Sequence, residues 1–104
     1  MKIVMVTGAS SGIGAEFVRQ LDQSFSRIDE IWMIARNTEK MEEIAATLQN
    51  KTRIIGLDLE KEEQRKELQM LMEKETPNIC MLVNCAGFGL MGDFEQLDME
   101  ELIR

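Results

Sequence analysis

The 104 residues of this chain suit a single domain, and the 44% that are apolar are enough to form a hydrophobic core. Nineteen acidic residues against twelve basic ones give a net charge of −7, which argues against nucleic acid or anionic lipid as a partner. The apolar stretch at the N-terminus is too short for a signal peptide, and no apolar run is long enough to span a bilayer. We therefore expect a cytoplasmic protein with neither a nucleic-acid nor a membrane partner.

The chain alternates strand-like and helix-like segments, with no linker or repeat between them. Runs of β-branched and apolar residues predict strands at 2–7, 31–35, 53–57 and 79–83. Apolar residues at helical spacing predict helices at 12–24, at a segment capped by Asn37 or Thr38, and at 61–74, and Asp98 is typical of the cap of another helix. Four strands alternating with three helices predict a parallel sheet with right-handed crossovers.

The apolar residues of each predicted helix form one face, which we expect to pack on the sheet. The face of the first helix consists of Ile13, Phe17, Val18 and Leu21, that of the second of Met41, Ile44, Ala45 and Leu48, and that of the third of Leu68, Leu71 and Met72. The fourth strand is nearly all apolar, which is typical of a strand covered on both faces. Most of the nine methionines fall on such faces, so we expect them to fill the core.

Cys80 and Cys85 are the only cysteines, and the chain contains no histidine. Their spacing fits neither a C-x-x-C redox pair nor a zinc site. We expect two buried, reduced thiols and no metal site.

A glycine-rich turn, Thr7-Gly8-Ala9-Ser10-Ser11-Gly12-Ile13-Gly14, directly follows the first strand and opens the first helix. A strand, a glycine turn and a helix N-terminus together form a site for the phosphates of a dinucleotide, because unpaired N–H groups and the helix dipole favour negative charge there. We expect Gly8 to allow the tight turn, Gly12 to leave room for the phosphates and Gly14 to allow close packing. Ser10 and Ser11 add hydroxyl donors.

The pattern Thr-Gly-x-x-x-Gly-Ile-Gly resembles the short-chain dehydrogenase/reductase family, and three other positions fit the resemblance. Asp58 follows the third strand, where such proteins hydrogen-bond adenine. Asn84-Cys85-Ala86-Gly87 is similar to the family's Asn-Asn-Ala-Gly, with Cys85 in place of its second Asn. Arg36 stands just past the second strand, where NADP-preferring members carry a basic residue.

The resemblance implies an α/β, Rossmann-type parallel sheet with strand order 3-2-1-4 and flanking helices, ending after the fourth strand. It implies a single NAD(P)-binding domain over 1–104, as the N-terminal part of a longer enzyme. The implied cofactor-binding residues are Gly8, Ser10, Ser11, Gly12, Ile13, Gly14, Arg36, Asp58, Leu59, Asn84, Ala86 and Gly87. Two of these have structural alternatives: Asp58 as the N-cap of the third helix, and Asn84 as a partner of loop backbone groups.

The end of the second strand favours NADP(H) over NAD(H). A site for NAD places a carboxylate there to bind the ribose 2′-hydroxyl, whereas a 2′-phosphate needs an arginine nearby. Ala35 carries no charge and Arg36 follows it, so we expect the 2′-phosphate to be bound. The alternative is a solvated surface arginine.

No catalytic acid is present in this sequence, and we assign no catalytic residue. The resembling enzymes use a Tyr with a Lys four residues later, a Ser and usually an Asn, all at positions that follow Arg104. We expect an NADP(H)-dependent oxidoreductase that reduces a carbonyl or oxidises an alcohol, of which this chain is the cofactor-binding half. The alternative is a non-catalytic dinucleotide-binding module that acts through a partner or through self-association. The apolar fourth strand would be an exposed edge if the sheet stopped there, which favours a longer chain and gives weight to the self-association alternative. We also expect a homo-oligomer.

Overall fold

The computed structural model describes residues 1–85, which form a four-stranded parallel sheet flanked by three helices. Its elements are β1 (Lys2–Thr7), α1 (Gly12–Ser24), β2 (Glu30–Ala35), α2 (Thr38–Ala45), β3 (Thr52–Gly56), α3 (Glu62–Glu75) and β4 (Asn78–Asn84). The strand order is β3-β2-β1-β4, so the predicted fold class and order are confirmed. Ala86, Gly87 and the predicted helix after Asp98 lie outside the described residues. Within residues 1–85, no helix is both long and apolar enough to cross a membrane.

The two central strands are buried on both faces. Val4 and Met33 point to the side that α1 and α2 cover, whereas Met5 and Trp32 point to the side that α3 covers. All four are fully buried, as expected for central parallel strands whose side chains alternate between two covered faces. The burial of these two strands fixes the position of β1, and hence of the glycine turn that leaves it.

Helix α1 packs on the sheet through Ala15, Val18 and Leu21, which are buried. The prediction that Ile13 and Phe17 belong to the same buried face is wrong for the described residues, because Ile13 is 69% exposed and Phe17 43% exposed. The helix therefore contacts the sheet along a narrower stripe than the apolar periodicity indicates.

The two other helices largely follow their predicted faces. Asn37 caps α2 by accepting the Lys40 N–H at 3.0 Å, and the helix ends at Ala45, so Leu48 packs on the core from beyond the helix. In α3, Leu68 and Met72 are buried and Leu71 is partly buried. The core also holds the methionines Met5, Met33 and Met41. Met70 and Met81, by contrast, are exposed.

Strand β4 contains an irregularity that the sequence does not reveal. Ile3 pairs with Ile79 but Val4 pairs with Met81, so Cys80 is an extra residue without a counterpart in β1. Cys80 is exposed and Cys85 is partly buried. The predictions of a buried Cys80 and of a β4 covered on both faces are therefore wrong for the part of the chain that the structure describes.

A buried carboxylate joins the end of α1 to the turn before β3. Asp22 accepts hydrogen bonds from the N–H of Gln49 at 2.9 Å, the N–H of Asn50 at 2.8 Å and the side-chain amide of Asn50 at 2.9 Å. Burial alone would raise the pKa of the Asp22 carboxyl, but these hydrogen bonds outweigh it and hold the pKa below its ordinary value. Asp22 thus stabilises the fold in its ionised form.

Replacing Asp22 tests this role. Asp22→Ala leaves buried N–H donors unpaired, and we expect it to lower the free energy of unfolding by about 2–3 kcal/mol at pH 7 in urea titrations. The pKa of Asp22 is lower in the folded than in the unfolded state, so its stabilising effect should be complete above about pH 5 and lost as the pH falls below about 4. The free energy of unfolding should therefore fall less with acid in the variant than in the wild type. Asp29, exposed and accepting one N–H from Lys2, is the matched control. A loss no larger than that of Asp29→Ala would contradict the account.

Candidate functional site

A cleft of about 300 Å³ opens at the carboxyl ends of the strands. All strands of a parallel sheet end at the same edge, so the segments that follow them meet there. The cleft is lined by Gly8, Ser10, Ser11, Ile34, Ala35, Arg36, Leu57, Asp58, Leu59, Glu60 and Cys85. Six of the predicted cofactor-binding residues are thereby brought together: Gly8, Ser10, Ser11, Arg36, Asp58 and Leu59.

The glycine turn is fixed to the end of β2. Gly8 has a φ of 68°, a left-handed conformation that glycine adopts without a steric penalty. In this conformation the N–H groups of Gly8 and Ala9 both donate to the carbonyl of Ile34, at 2.8 and 3.3 Å. The turn therefore has a set position relative to Arg36, two residues after Ile34.

The N-terminus of α1 is capped by Ser11. Its hydroxyl accepts the N–H of Gly14 at 2.9 Å and donates to the carbonyl of Gly8 at 2.9 Å. The Ser11 hydroxyl hydrogen is thus used inside the turn. The N–H groups of Ser10, Gly12 and Ile13 make no hydrogen bond with any residue between 1 and 85. Unpaired donors at a helix N-terminus are a ready site for an anion.

Gly12 and Gly14 face different surroundings. A Cβ at Gly14 would lie 2.1 Å from the carbonyl oxygen of Gly8, so no larger residue fits without moving the backbone. A Cβ at Gly12 would meet nothing within 4 Å among the described residues. Gly14 is therefore required for the turn to pack on the helix, whereas the protein itself leaves space beside Gly12.

Arg36 lies at the edge of the cleft, immediately after β2. Its side chain is exposed and makes no hydrogen bond or ion pair with the part of the chain from 1 to 85. Arg53 provides a contrast, because its guanidinium pairs with Glu75 at 2.6 Å and stacks on Trp32 at 4.9 Å from the ring centre. Arg36 has no such structural role among these residues.

Asp58 begins a tight turn between β3 and α3. The Lys61 N–H donates to the Asp58 carbonyl at 3.1 Å, and the Glu60 N–H donates to Asp58 Oδ1 at 3.0 Å. Helix α3 begins at Glu62, with Lys61 in the capping position. The alternative interpretation of Asp58 as the N-cap is therefore wrong. Asp58 Oδ2 and the Leu59 N–H make no hydrogen bond within residues 1–85.

The remaining predicted residues do not line this cleft. Asn84 accepts the Thr7 hydroxyl at 2.8 Å, which ties the end of β4 to the end of β1. Gly12 and Ile13 instead line a hollow of about 310 Å³ along α1, together with Phe17. Gly14 is buried behind the turn.

The sequence does not predict four further residues of the cleft wall, which are Ile34, Leu57, Glu60 and Cys85. Cys85 directly follows β4, and this position after a strand end is the signal in the sequence that could have found it. Burial raises the pKa of its thiol, so Cys85 is neutral and contributes an apolar surface to the cleft.

A family comparison matches residues 2–104 to the short chain dehydrogenase family. The chain belongs to the short-chain dehydrogenase family. In this short-chain dehydrogenase, the cleft lies where the glycine turn, the end of β2 and the turn after β3 meet.

Individual relatives agree with this assignment. This chain is 27% identical over 100 residues to an uncharacterized oxidoreductase of Staphylococcus epidermidis, and the match covers 96% of this chain and 42% of that protein. It is 29% identical over 117 residues to 3-ketodihydrosphingosine reductase of Dictyostelium discoideum, and the match covers 95% of this chain and 34% of that protein. Among solved structures, the chain superposes with a TM-score of 0.65 on an alcohol dehydrogenase from the archaeon Thermococcus sibiricus, complexed with 5-hydroxy-NADP. The two are 25% identical, and the match covers 79% of this chain and 35% of that one. The chain spans between about one-third and two-fifths of the length of these proteins.

The two glycines of the turn give a paired test in this short-chain dehydrogenase. Gly14→Ala should lower the free energy of unfolding by about 1–3 kcal/mol, because the new methyl group overlaps the Gly8 carbonyl. Gly12→Ala should leave stability unchanged or slightly raised, because alanine favours the helix and meets no protein atom. Urea unfolding of both variants measures this. Equal destabilisation by the two substitutions would show that Gly12 is also required for packing.

Proposed function

We propose that this chain holds NADP(H) within an oxidoreductase that reduces a carbonyl group or oxidises an alcohol. Residues 1–104 form its single NAD(P)-binding domain, which is the N-terminal part of a longer enzyme. Supporting this are the family match over 2–104, the span of about one-third to two-fifths of each relative, and the cleft at the strand ends. When bound, the reduced nicotinamide would supply the hydride for carbonyl reduction, and the oxidised nicotinamide would accept it in alcohol oxidation.

The diphosphate is bound at the start of α1. Backbone N–H groups of Ser10, Gly12 and Ile13 supply donors, and the positive end of the helix dipole adds attraction for negative charge. The space beside Gly12 allows the phosphates to approach the backbone, which a methyl group there would obstruct. The Ser10 hydroxyl lies in the same wall of the cleft.

The adenine is bound at the turn after β3. Its Watson–Crick edge presents an amino donor beside a ring-nitrogen acceptor. Asp58 Oδ2 is an acceptor and the neighbouring Leu59 N–H a donor, so the turn carries the complementary pair. The uncharged Cys85 and Ile34 add apolar surface nearby.

The 2′-phosphate is bound by Arg36, and this residue carries the preference for NADP(H) over NAD(H). Arg36 lines the cleft together with the glycine turn and the turn after β3. Its charge is unpaired within residues 1–85. Ala35 leaves no carboxylate at the end of β2 to accept a ribose hydroxyl or repel a phosphate. A guanidinium binds phosphate through paired, charge-assisted hydrogen bonds.

The reaction is the part of the proposal that rests on relatives. Ketone reductase and alcohol dehydrogenase are the activities named for two of the proteins above. The sequence contains neither tyrosine nor histidine, and we assign no residue of this chain as the proton donor for the carbonyl. The chain's own contribution is to bind and orient the cofactor.

Arg36→Ala tests the cofactor preference. We expect it to raise the Kd for NADPH by about 10- to 100-fold, the loss of a charge-assisted contact of about 1.5–3 kcal/mol, and to leave the Kd for NADH nearly unchanged. Fluorescence titration of both cofactors measures the ratio.

Arg27 is the matched control for Arg36, because it is an exposed arginine between α1 and β2, at the opposite end of the sheet. Arg27→Ala should leave both affinities unchanged. An unchanged ratio of the NADPH and NADH affinities in Arg36→Ala would refute the assignment. Equal losses in both arginine variants would point to a nonspecific effect of net charge.

A further inference from the structure

We propose that Gln64 and Arg65, in the first turn of α3, are positioning residues for adenine recognition. Their side chains hold the turn of residues 58–60 in place. This inference rests on the proposed binding of NADP(H) and adds to it residues that do not themselves contact the base.

Gln64 reaches back from the helix to the start of the turn. Its side-chain carbonyl oxygen accepts the backbone N–H of Asp58 at 2.6 Å, a short hydrogen bond. Gln64 is partly buried, so little water is available to replace this contact. The bond fixes the backbone of Asp58 to α3, and α3 is itself anchored on the sheet by Leu68 and Met72.

Arg65 holds the other half of the turn. Its guanidinium donates through one nitrogen to the carbonyl of Leu59 at 2.8 Å and to that of Glu60 at 3.3 Å. Each carbonyl shares a peptide plane with the N–H of the following residue, so Arg65 holds the two peptide planes after Leu59, and Gln64 holds the one before Asp58. The peptide plane that carries the Leu59 N–H lies between these held planes. Gln64 and Arg65 are adjacent, and together they contact each residue of the turn.

Without these contacts, the turn would keep its internal hydrogen bonds, but the peptide planes on either side of the Leu59 N–H would no longer be held. The Glu60 N–H to Asp58 Oδ1 bond and the Lys61 N–H to Asp58 carbonyl bond both lie within the turn itself. Leu59 remains anchored by its buried side chain, which is 6% exposed. We therefore expect substitutions at Gln64 to leave the chain folded and to misalign Asp58 Oδ2 with the Leu59 N–H.

The test compares NADP⁺ with its hypoxanthine analogue in the wild-type protein and in Gln64→Met. The analogue carries a carbonyl where adenine has the amino group, so it presents an acceptor to the Asp58 carboxylate. Wild-type protein should bind NADP⁺ about tenfold or more tightly than the analogue, the selectivity expected of one charge-assisted hydrogen bond. Methionine has the length and helix propensity of glutamine but no strong acceptor, so this selectivity should fall to about twofold. Isothermal titration of both ligands gives the ratio.

Two further variants and a control separate positioning from general destabilisation. Gln64→Glu keeps an acceptor oxygen and should restore most of the selectivity. Arg65→Met should reduce the selectivity as Gln64→Met does, and serves in its place if that variant fails to fold. Gln69→Met, on the same helix but away from the cleft, should retain the wild-type ratio.

The outcomes distinguish the inference from the function on which it rests. Wild-type selectivity that persists in Gln64→Met and Arg65→Met overturns the inference and leaves the proposed cofactor in place. Equal weakening of both ligands, with the ratio unchanged, also overturns it, since that marks a structural role only. A wild-type protein that binds neither ligand overturns the proposed function and the inference together.

Discussion

The carbonyl group of Gly8 is the point at which strand β1, the glycine turn and helix α1 meet. It accepts the N–H and the hydroxyl of Ser11, and it lies so close to Gly14 that a Cβ there would be 2.1 Å away. This approach sets where α1 starts, and with it the position of the unpaired N–H groups of Gly12 and Ile13. The main constraint is therefore steric, and it depends on the absence of one side chain.

The sheet topology brings the other parts of the site to this helix end. Because β1 lies between β2 and β4, the chain leaves β1 in one direction to form β2 and β3, and returns past β1 to form β4. Ligands of open parallel sheets bind at such a change of direction, beyond the carboxyl ends of the strands. On one side of β1, strand β2 ends at Ala35 and Arg36 follows it; on the other side, strand β4 ends at Asn84 and Cys85 follows it. The turn at Asp58 follows β3. It is held by α3, which packs on the face of the sheet opposite α1 and α2.

Much of this arrangement could be predicted from the sequence because it depends on local rules. Strand periodicity, the glycine spacing and the cap at Asn37 are set by near neighbours, and they predict the strands, the glycine turn and the start of α2. The strand order, and Asp58 and Leu59 as residues of the cleft, follow from the resemblance to the family. The errors have a common cause in contacts between distant residues. Apolar spacing cannot show how α1 rotates on the sheet, so Ile13 and Phe17 were placed in the core, although they are exposed within residues 1–85.

Polar contacts over long sequence distances were also missed. Asp22 reads as an ordinary surface position of an amphipathic helix, but its partners Gln49 and Asn50 are 27 and 28 residues away. The extra residue in β4 depends on the register with β1, which the sequence of β4 alone does not specify. The roles of Gln64 and Arg65 depend on the path of the turn before α3 and could be recognised only once that path was known.

The most direct test of the proposed cofactor site is a residue-resolved NMR titration of the ¹⁵N-labelled protein with NADP⁺. The account predicts that the amide signals of Ser10, Gly12 and Ile13 shift on binding, together with those of Arg36 and Leu59. The amides of Asp29, Asn50 and Asn78, at the other end of the strands, should stay in place. An absence of shifts at saturating cofactor, or shifts centred on the amino-terminal ends of the strands, would contradict the account.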